Sequence, residues 1–144
     1  MEETTHNMKL KNILALSCVI LVGCIAPLKP GADPLVVRTE QSLKVSDATF
    51  NFVLHVEDSN HAFWKQNVPG FVNFCEWLRT PTPYEASTLP RCNALLLTVN
   101  DLKNKYKSAK TEANSNALYT IVLTLDATAS QATAWSNIIV LPIY

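Results

Sequence analysis

Apolar residues recur at three- and four-residue steps along most of the chain after residue 34. This spacing places side chains on one face of a helix, whereas two-residue alternation would indicate a strand. It predicts helices over residues 35 to about 66, about 71 to 79, 90 to 110, and roughly 115 to 135. Helices joined by short connections favour an all-α fold, a small antiparallel bundle of three to four helices.

Cap and breaker residues predict where these helices begin and end. Asp33 and Pro34 match a capping aspartate followed by proline at the first helical position. The run 67–70, Asn-Val-Pro-Gly, predicts a break. Residues 80–90 contain three prolines and predict the longest loop. Of the three glycines, only Gly70 lies beyond residue 31, and this scarcity disfavours tight β-hairpins.

An α+β domain is the alternative fold. The end of the chain, residues 138–144, is apolar and prone to form a strand. In this alternative, residues 36–37 and 138–143 pair as strands. Otherwise the apolar end packs across the bundle or serves as a strand that binds a partner.

Residues 9–24 follow a different pattern from the rest of the chain. Lys9 and Lys11 precede a mostly apolar run that ends in the small residue Gly23. That order is the layout of a secretory signal. The apolar stretch 13–28 contains Pro27 and is shorter than the about 20 residues that a membrane-spanning helix needs. The segment therefore predicts export rather than a permanent span.

The end of this segment, Leu21-Val22-Gly23-Cys24, resembles the lipobox of small bacterial or phage-encoded lipoproteins. The resemblance implies that Cys24 carries lipid, which anchors the chain to a membrane. It also implies a signal peptide over 1–23, a lipidated tether over 24–33 and a helical domain over 34–144. Ile25 rather than aspartate follows the cysteine, which in Gram-negative lipoproteins implies the outer membrane, facing the periplasm. An ordinary signal or a short anchor, with Cys24 uninvolved, is the alternative.

Two cysteines remain after the export segment is set aside. Cys18 lies within the signal and Cys24 is assigned to lipid, which leaves Cys75 and Cys92. An even pair in an oxidising compartment predicts a disulfide between them. Two buried free thiols, in a protein that stays in the cytosol, are the alternative.

Composition and motifs argue against several classes of function. The formal net charge is zero, so the chain lacks the basic excess of proteins that bind nucleic acid. It contains neither a Gly-x-Ser-x-Gly nucleophile turn nor a glycine-rich phosphate loop. We therefore expect no catalytic residue and no cofactor.

The strongest candidate for chemistry is the group His55, Glu57, Asp58 and His61. Glu57 and Asp58 lie four and three residues before His61, so each pair shares a helix face. Di-iron bundles need two Glu-x-x-His motifs and two further carboxylates, and this chain has one related spacing. We therefore expect a solvated polar face and no metal site. Lys103, Lys105, Lys107 and Lys110 similarly complement a helix dipole, with anionic lipid as the alternative contact.

These patterns together favour a non-enzymatic envelope module that binds a protein partner or itself. A phage-type superinfection-exclusion or immunity lipoprotein is one alternative, and an envelope hydrolase or metal-binding protein is another. Trp64, Trp77 and Trp135 lie near predicted helix ends. Any of them that is exposed would mark a binding patch, because aromatic residues dominate interfaces.

Overall fold

The computed structural model describes residues 29–140, which are mostly helical. The elements among them are α1 (Pro34–Ser59), α2 (His61–Asn67), α3 (Pro69–Arg79), β1 (Pro81–Tyr84), β2 (Ser87–Pro90), α4 (Arg91–Ser108) and α5 (Glu112–Val140). The all-α prediction is therefore right at the level of fold class. The α+β alternative is wrong, because residues 36–37 lie within α1.

The described residues divide into two units, with residues 29–32 in the first and residues 33–140 in the second. Of the first unit, the structure describes the turn at residues 29–32, which the Ala32 N–H closes by donating to the Lys29 carbonyl at 2.9 Å. The second unit contains all seven elements that the structure describes. Among residues 29–140, no helix is both long enough and apolar enough to cross a membrane.

Asp33 starts α1 as the capping residue that the sequence predicts. One carboxylate oxygen accepts hydrogen bonds from the backbone N–H groups of Leu35 and Val36, at 3.0 and 3.4 Å. These N–H groups lie in the first turn and have no partner inside the helix. The other oxygen accepts from Lys110 at 2.7 Å and from the Tyr106 hydroxyl at 3.1 Å. The hydrogen bond from Lys110 is the main cause that lowers the pKa of Asp33. The cap therefore also ties the start of α1 to the end of α4.

The helix predicted over residues 35 to about 66 is divided in two. Asn60 leaves helical geometry, with φ −155° and ψ 57°, and its side chain caps α2 by accepting the Phe63 N–H at 3.4 Å. Asparagine competes with the helix in this way because its side chain mimics a backbone acceptor. The Trp64 indole donates to the Val56 carbonyl at 2.9 Å, which satisfies an acceptor near the end of α1.

The break predicted at residues 67–70 is confirmed. The helix α2 ends at Asn67, and α3 begins at Pro69, where the missing N–H costs no hydrogen bond. Gly70 lies against α5, since a Cβ there would come within 3.0 Å of the Trp135 ring. The absence of a side chain therefore lets these two elements approach closely.

A β-hairpin replaces the loop predicted over residues 80–90. The strands β1 and β2 pair antiparallel, with Pro81 opposite Pro90 and Tyr84 opposite Ser87. Two prolines cannot exchange N–H bonds, so the Pro81–Pro90 pair is a non-hydrogen-bonded pair, and by alternation the Pro83 pair is too. All three prolines therefore stand where an N–H would point away from the ladder, which is why the hairpin tolerates them.

The scarcity of glycine predicts that no tight hairpin forms, and this prediction is wrong because the hairpin turn forms without glycine. Glu85, the first of its two central residues, has φ 50°, and it is the one described non-glycine residue with positive φ. A positive φ at this position alone is typical of a type II′ turn, where glycine is usual. The Tyr84 hydroxyl donates to the Asp101 carboxylate, which ties the turn to α4.

The apolar faces of the helices meet in one core. The helix α5 packs against α1 and α4, and α1 and α4 also contact each other. Side chains from four helices are almost fully buried there, including Phe50, Val53, Phe71, Leu78, Val99, Leu118, Val122 and Leu125. The apolar periodicity correctly predicts α5 as a helix, but α5 is longer than predicted at both ends.

The turn makes a prediction about stability. Replacing Glu85 with glycine should relieve a positive φ that costs an L-residue about 1–3 kcal/mol. Ala86→Gly is the matched control, because it brings the same flexibility of the unfolded chain without relieving a positive φ. We expect Glu85→Gly to be the more stable variant by about 1 kcal/mol in urea unfolding. Equal stability of the two variants would contradict the turn geometry.

Candidate functional site

A buried carboxylate at the end of α1 organises the first candidate site. Glu57 is on the core face of α1 and is only 1% exposed. Its Oε2 accepts from the Arg79 guanidinium at 2.7 Å, and its Oε1 contacts His61 Nδ1. Arg79 also donates to Asp58 at 2.7 Å and to the Leu54 carbonyl at 3.3 Å. We call Glu57, Asp58, His61 and Arg79 the ion cluster.

Two opposing effects set the charge of Glu57. Burial raises the pKa of this carboxyl, but the hydrogen bonds from His61 and Arg79, together with the charge of Arg79, outweigh burial and lower it. The carboxylate is therefore held ionised against the desolvation that would neutralise it. Such a charge belongs in the interior only because its partners are in place.

The structure joins three of the four residues that the sequence nominated. His55 is exposed on a different side of α1 and takes no part in the ion cluster. Arg79, which sequence reasoning missed, binds both carboxylates from α3. The only signal for it was a basic residue in the last turn of a helix, which is common for other reasons. Within residues 29–140, no group of three His, Cys, Asp or Glu side chains is placed to hold a metal ion.

The ion cluster mainly holds elements together. Glu57 binds α2 through His61 and α3 through Arg79, so it joins three helices at one point. The His61 side chain is 49% exposed, with Nδ1 turned to the buried carboxylate. The Glu57 carboxylate can hold the His61 imidazole in one orientation, as carboxylates do for histidines in many sites.

The disulfide expected from the sequence is absent from the structure. Cys75 and Cys92 are free, buried thiols. Their Sγ atoms lie near different acceptors, the Val53 carbonyl at 3.8 Å and the Asn93 side chain at 3.6 Å. Burial raises the pKa of Cys75 to about 12, and it also raises the pKa of Cys92. Both are therefore unreactive thiols that fill the core. Cys24, the proposed lipid site, lies outside the described residues.

The four lysines of α4 and its end include two that pair with α1. Lys103 lies 3.7 Å from Glu40, and Lys110 lies 2.7 Å from Asp33. These two lysines therefore link α4 to α1 through ion pairs, a structural role different from the helix-dipole contact predicted from the sequence.

The tryptophans differ in exposure, and this difference reveals a second candidate site. Trp64 is buried and Trp135 is half-buried, whereas Trp77 is 40% exposed. The Trp77 ring stacks with Phe74, and the Arg91 guanidinium lies over it at 4.7 Å. Beside them is an open groove of about 240 Å³, lined by Trp77, Thr82, Pro83, Arg91, Ala94, Leu95, Thr98, Thr124 and Thr128. We call it the Trp77–Arg91 groove.

The sequence matches no protein-family model, and comparisons with curated proteins and with solved structures gave no match.

The ion cluster makes a prediction about stability and pH. Glu57→Gln leaves Arg79 without its buried counter-charge, and we expect a loss of about 2 kcal/mol in the free energy of unfolding at pH 7. Because folding lowers the pKa of Glu57, its contribution is present above the ordinary value of 4.5 and is lost as pH falls below it. The difference between wild type and Glu57→Gln, measured by urea unfolding, should therefore narrow on acidification.

Asp58→Asn is the matched control for that substitution. It removes the exposed partner of the same arginine, and exposed pairs contribute less than about 1 kcal/mol. Equal losses in the two variants, or a difference between Glu57→Gln and wild type that is constant with pH, would contradict the role of the buried carboxylate.

The thiols can be checked without any substitution. Trypsin separates Cys75 and Cys92 onto peptides 66–79 and 92–103. We expect iodoacetamide to label both residues slowly in the folded protein, because burial keeps them as thiols. Both should label fully in denaturant without a reductant, as measured by mass spectrometry. If labelling requires a reductant, the bridge predicted from the sequence exists after all.

Proposed function

We propose that this chain is a membrane-anchored envelope lipoprotein, whose helical domain binds a protein partner or a second copy of itself without catalysing a reaction. One observation carries the proposal: the basic and apolar run from Lys9 ends in the lipobox-like sequence Leu21-Val22-Gly23-Cys24. In this proposal, acyl chains on Cys24 hold the protein at the bilayer.

The length of the proposed tether fits a domain held close to a membrane. Residues 25–32 separate Cys24 from the capping residue Asp33. Eight residues span at most about 28 Å when fully extended. Pro27 and Pro30 restrict this segment further. The domain would therefore work at the membrane surface and meet partners there.

An antiparallel bundle is part of the proposal. Its support comes from contacts between helices that are distant in sequence. Lys110 contacts Asp33 and Lys103 contacts Glu40, so the end of α4 lies beside the start of α1 and the two helices run in opposite directions. Short connections between such neighbours are typical of helical bundles.

Exposed apolar side chains support a role in binding. On the described surface they include Val45, Phe52, Trp77, Leu97, Tyr119, Leu123 and Ile138. Single exposed apolar residues are normal on monomers, but aromatic residues flanked by polar ones are typical of interfaces. Trp77 beside Arg91 combines two of the residue types that are enriched in interface anchors.

The anchor is tested by feeding cells radiolabelled palmitate and isolating the protein. We expect wild type to incorporate label and to remain in the membrane fraction, because Cys24 carries acyl chains. Cys24→Ser should lose both properties. Cys18→Ser is the matched control, since it changes a cysteine in the same segment that is not next to the proposed cleavage point, and it should keep the label. Full-length, unlabelled wild type in the soluble cytosolic fraction would contradict the proposal.

A further inference from the structure

Arg91 differs from the other arginines of the chain in its partners. Arg38 contacts Asp126 at 3.3 Å, and Arg79 binds Glu57 and Asp58. Arg91 pairs with no acidic side chain among residues 29–140, and its Nε is buried without a hydrogen-bond partner. A ligand in an open groove cannot reach the buried Nε, so the donors that remain for a ligand are the terminal amino groups of the guanidinium.

The surroundings of Arg91 hold its guanidinium at the groove. The flat face lies over the Trp77 ring at 4.7 Å, and Trp77 is itself stacked with Phe74. Stacking of this kind leaves the terminal N–H groups, which lie in the guanidinium plane, free to bind an acceptor. A planar fork of donors matches a carboxylate, which it can bind through two parallel hydrogen bonds.

The remainder of the groove selects the other part of a ligand. Thr98 donates its hydroxyl to the Ala94 carbonyl at 2.7 Å, and Thr128 donates to Thr124 at 2.9 Å. Because these donors are used within their helices, the threonines offer the groove mainly methyl groups and acceptor oxygens. Leu95 and Pro83 add further apolar surface. Arg91 is therefore the positive charge of a mostly apolar groove.

The size of the groove favours a side chain from a larger partner. Its volume is about 240 Å³, below the roughly 300–1,000 Å³ of typical small-molecule pockets. A cavity of about 150 Å³ holds benzene, so there is room here for a leucine-sized group and a carboxylate. A free molecule of that size binds weakly in an open groove, whereas a protein segment adds contacts outside it and binds more tightly. Tryptophan and arginine are also the anchors that protein interfaces favour.

We propose that the Trp77–Arg91 groove receives a carboxylate and an adjoining apolar side chain of a protein partner. The carboxylate lies against the Arg91 guanidinium, and the apolar group lies against Trp77, Pro83 and Leu95. This inference rests on the proposed function, since it names the partner chemistry of the binding module.

The test uses the full chain labelled with 5-fluorotryptophan in dodecyl maltoside micelles. The three tryptophans give three ¹⁹F resonances, which single Trp→Phe substitutions assign. We expect N-acetyl-L-leucine to shift the Trp77 resonance while those of Trp64 and Trp135 stay in place. The uncharged N-acetyl-L-leucinamide should bind about tenfold more weakly, because it lacks the charge that Arg91 recognises.

Two substitutions separate the charge of Arg91 from its structural role. Arg91→Gln should remove the preference for the acid over the amide, with unchanged Trp64 and Trp135 resonances showing that the fold is intact. Arg38→Gln is the matched control, because Arg38 also lies over an aromatic ring, that of Tyr119, but is paired with Asp126. It should leave the preference unchanged. A Trp77 resonance that responds equally to acid and amide, or to neither, would overturn the proposal.

Hexanoate tests the source of the carboxylate. It has the charge and an apolar chain but no peptide groups, and we expect it to bind more weakly than N-acetyl-L-leucine. Equal or tighter binding of hexanoate would overturn the assignment to a protein partner in favour of a free fatty acid. If the protein incorporates no palmitate, the proposed lipid anchor is wrong, but the ¹⁹F shifts still support ligand binding in the groove. If palmitate-labelled protein shows no ¹⁹F shift, only the proposal for the groove is wrong.

Discussion

The charge of Glu57 is buried at the end of α1, and a buried charge is tolerated only where its partners are present. Arg79 supplies the main counter-charge from α3, and His61 adds a contact from α2. These bonds require the chain to leave α1, pass through the short α2 and return along α3 with Arg79 facing Glu57. The break at Asn60 makes this path available, because a continuous helix would carry the chain away from that carboxylate.

The same arrangement places the groove. Arg79 is the last residue of α3, and the hairpin that follows returns the chain to Arg91 at the start of α4. The Arg91 N–H donates to the Thr80 carbonyl at 3.0 Å, so the two ends of the hairpin are joined directly. Trp77, two residues before Arg79, and Arg91, eleven residues after Thr80, are thereby brought within stacking distance. The Glu57–Arg79 ion pair and the Trp77–Arg91 stack therefore both depend on where the end of α3 lies.

Local rules succeeded where a single segment decides the outcome. The cap at Asp33, the break before Pro69 and the apolar face of α5 each depend on residues within a turn or two. The local rules failed where a contact between residues far apart in the sequence decides the structure. The hairpin at residues 81–90 has no glycine, but its prolines fit because of their register against the opposite strand. The Cys75–Cys92 bridge followed from counting cysteines, and counting does not show where the sulfur atoms point.

The sequence by itself determined the helical class and most helix ends, because apolar spacing and caps act within a few residues along the chain. It also carries the whole case for an exported, lipid-bearing N-terminus, since that case rests on residues 9–24. Only the tertiary structure decided that Arg79 forms an ion pair with Glu57, whereas Arg91 has no acidic partner in the described chain. The physical reason is that charge pairing depends on distance in space. Glu57 and Arg79 meet between two helices although they are 22 residues apart in the sequence.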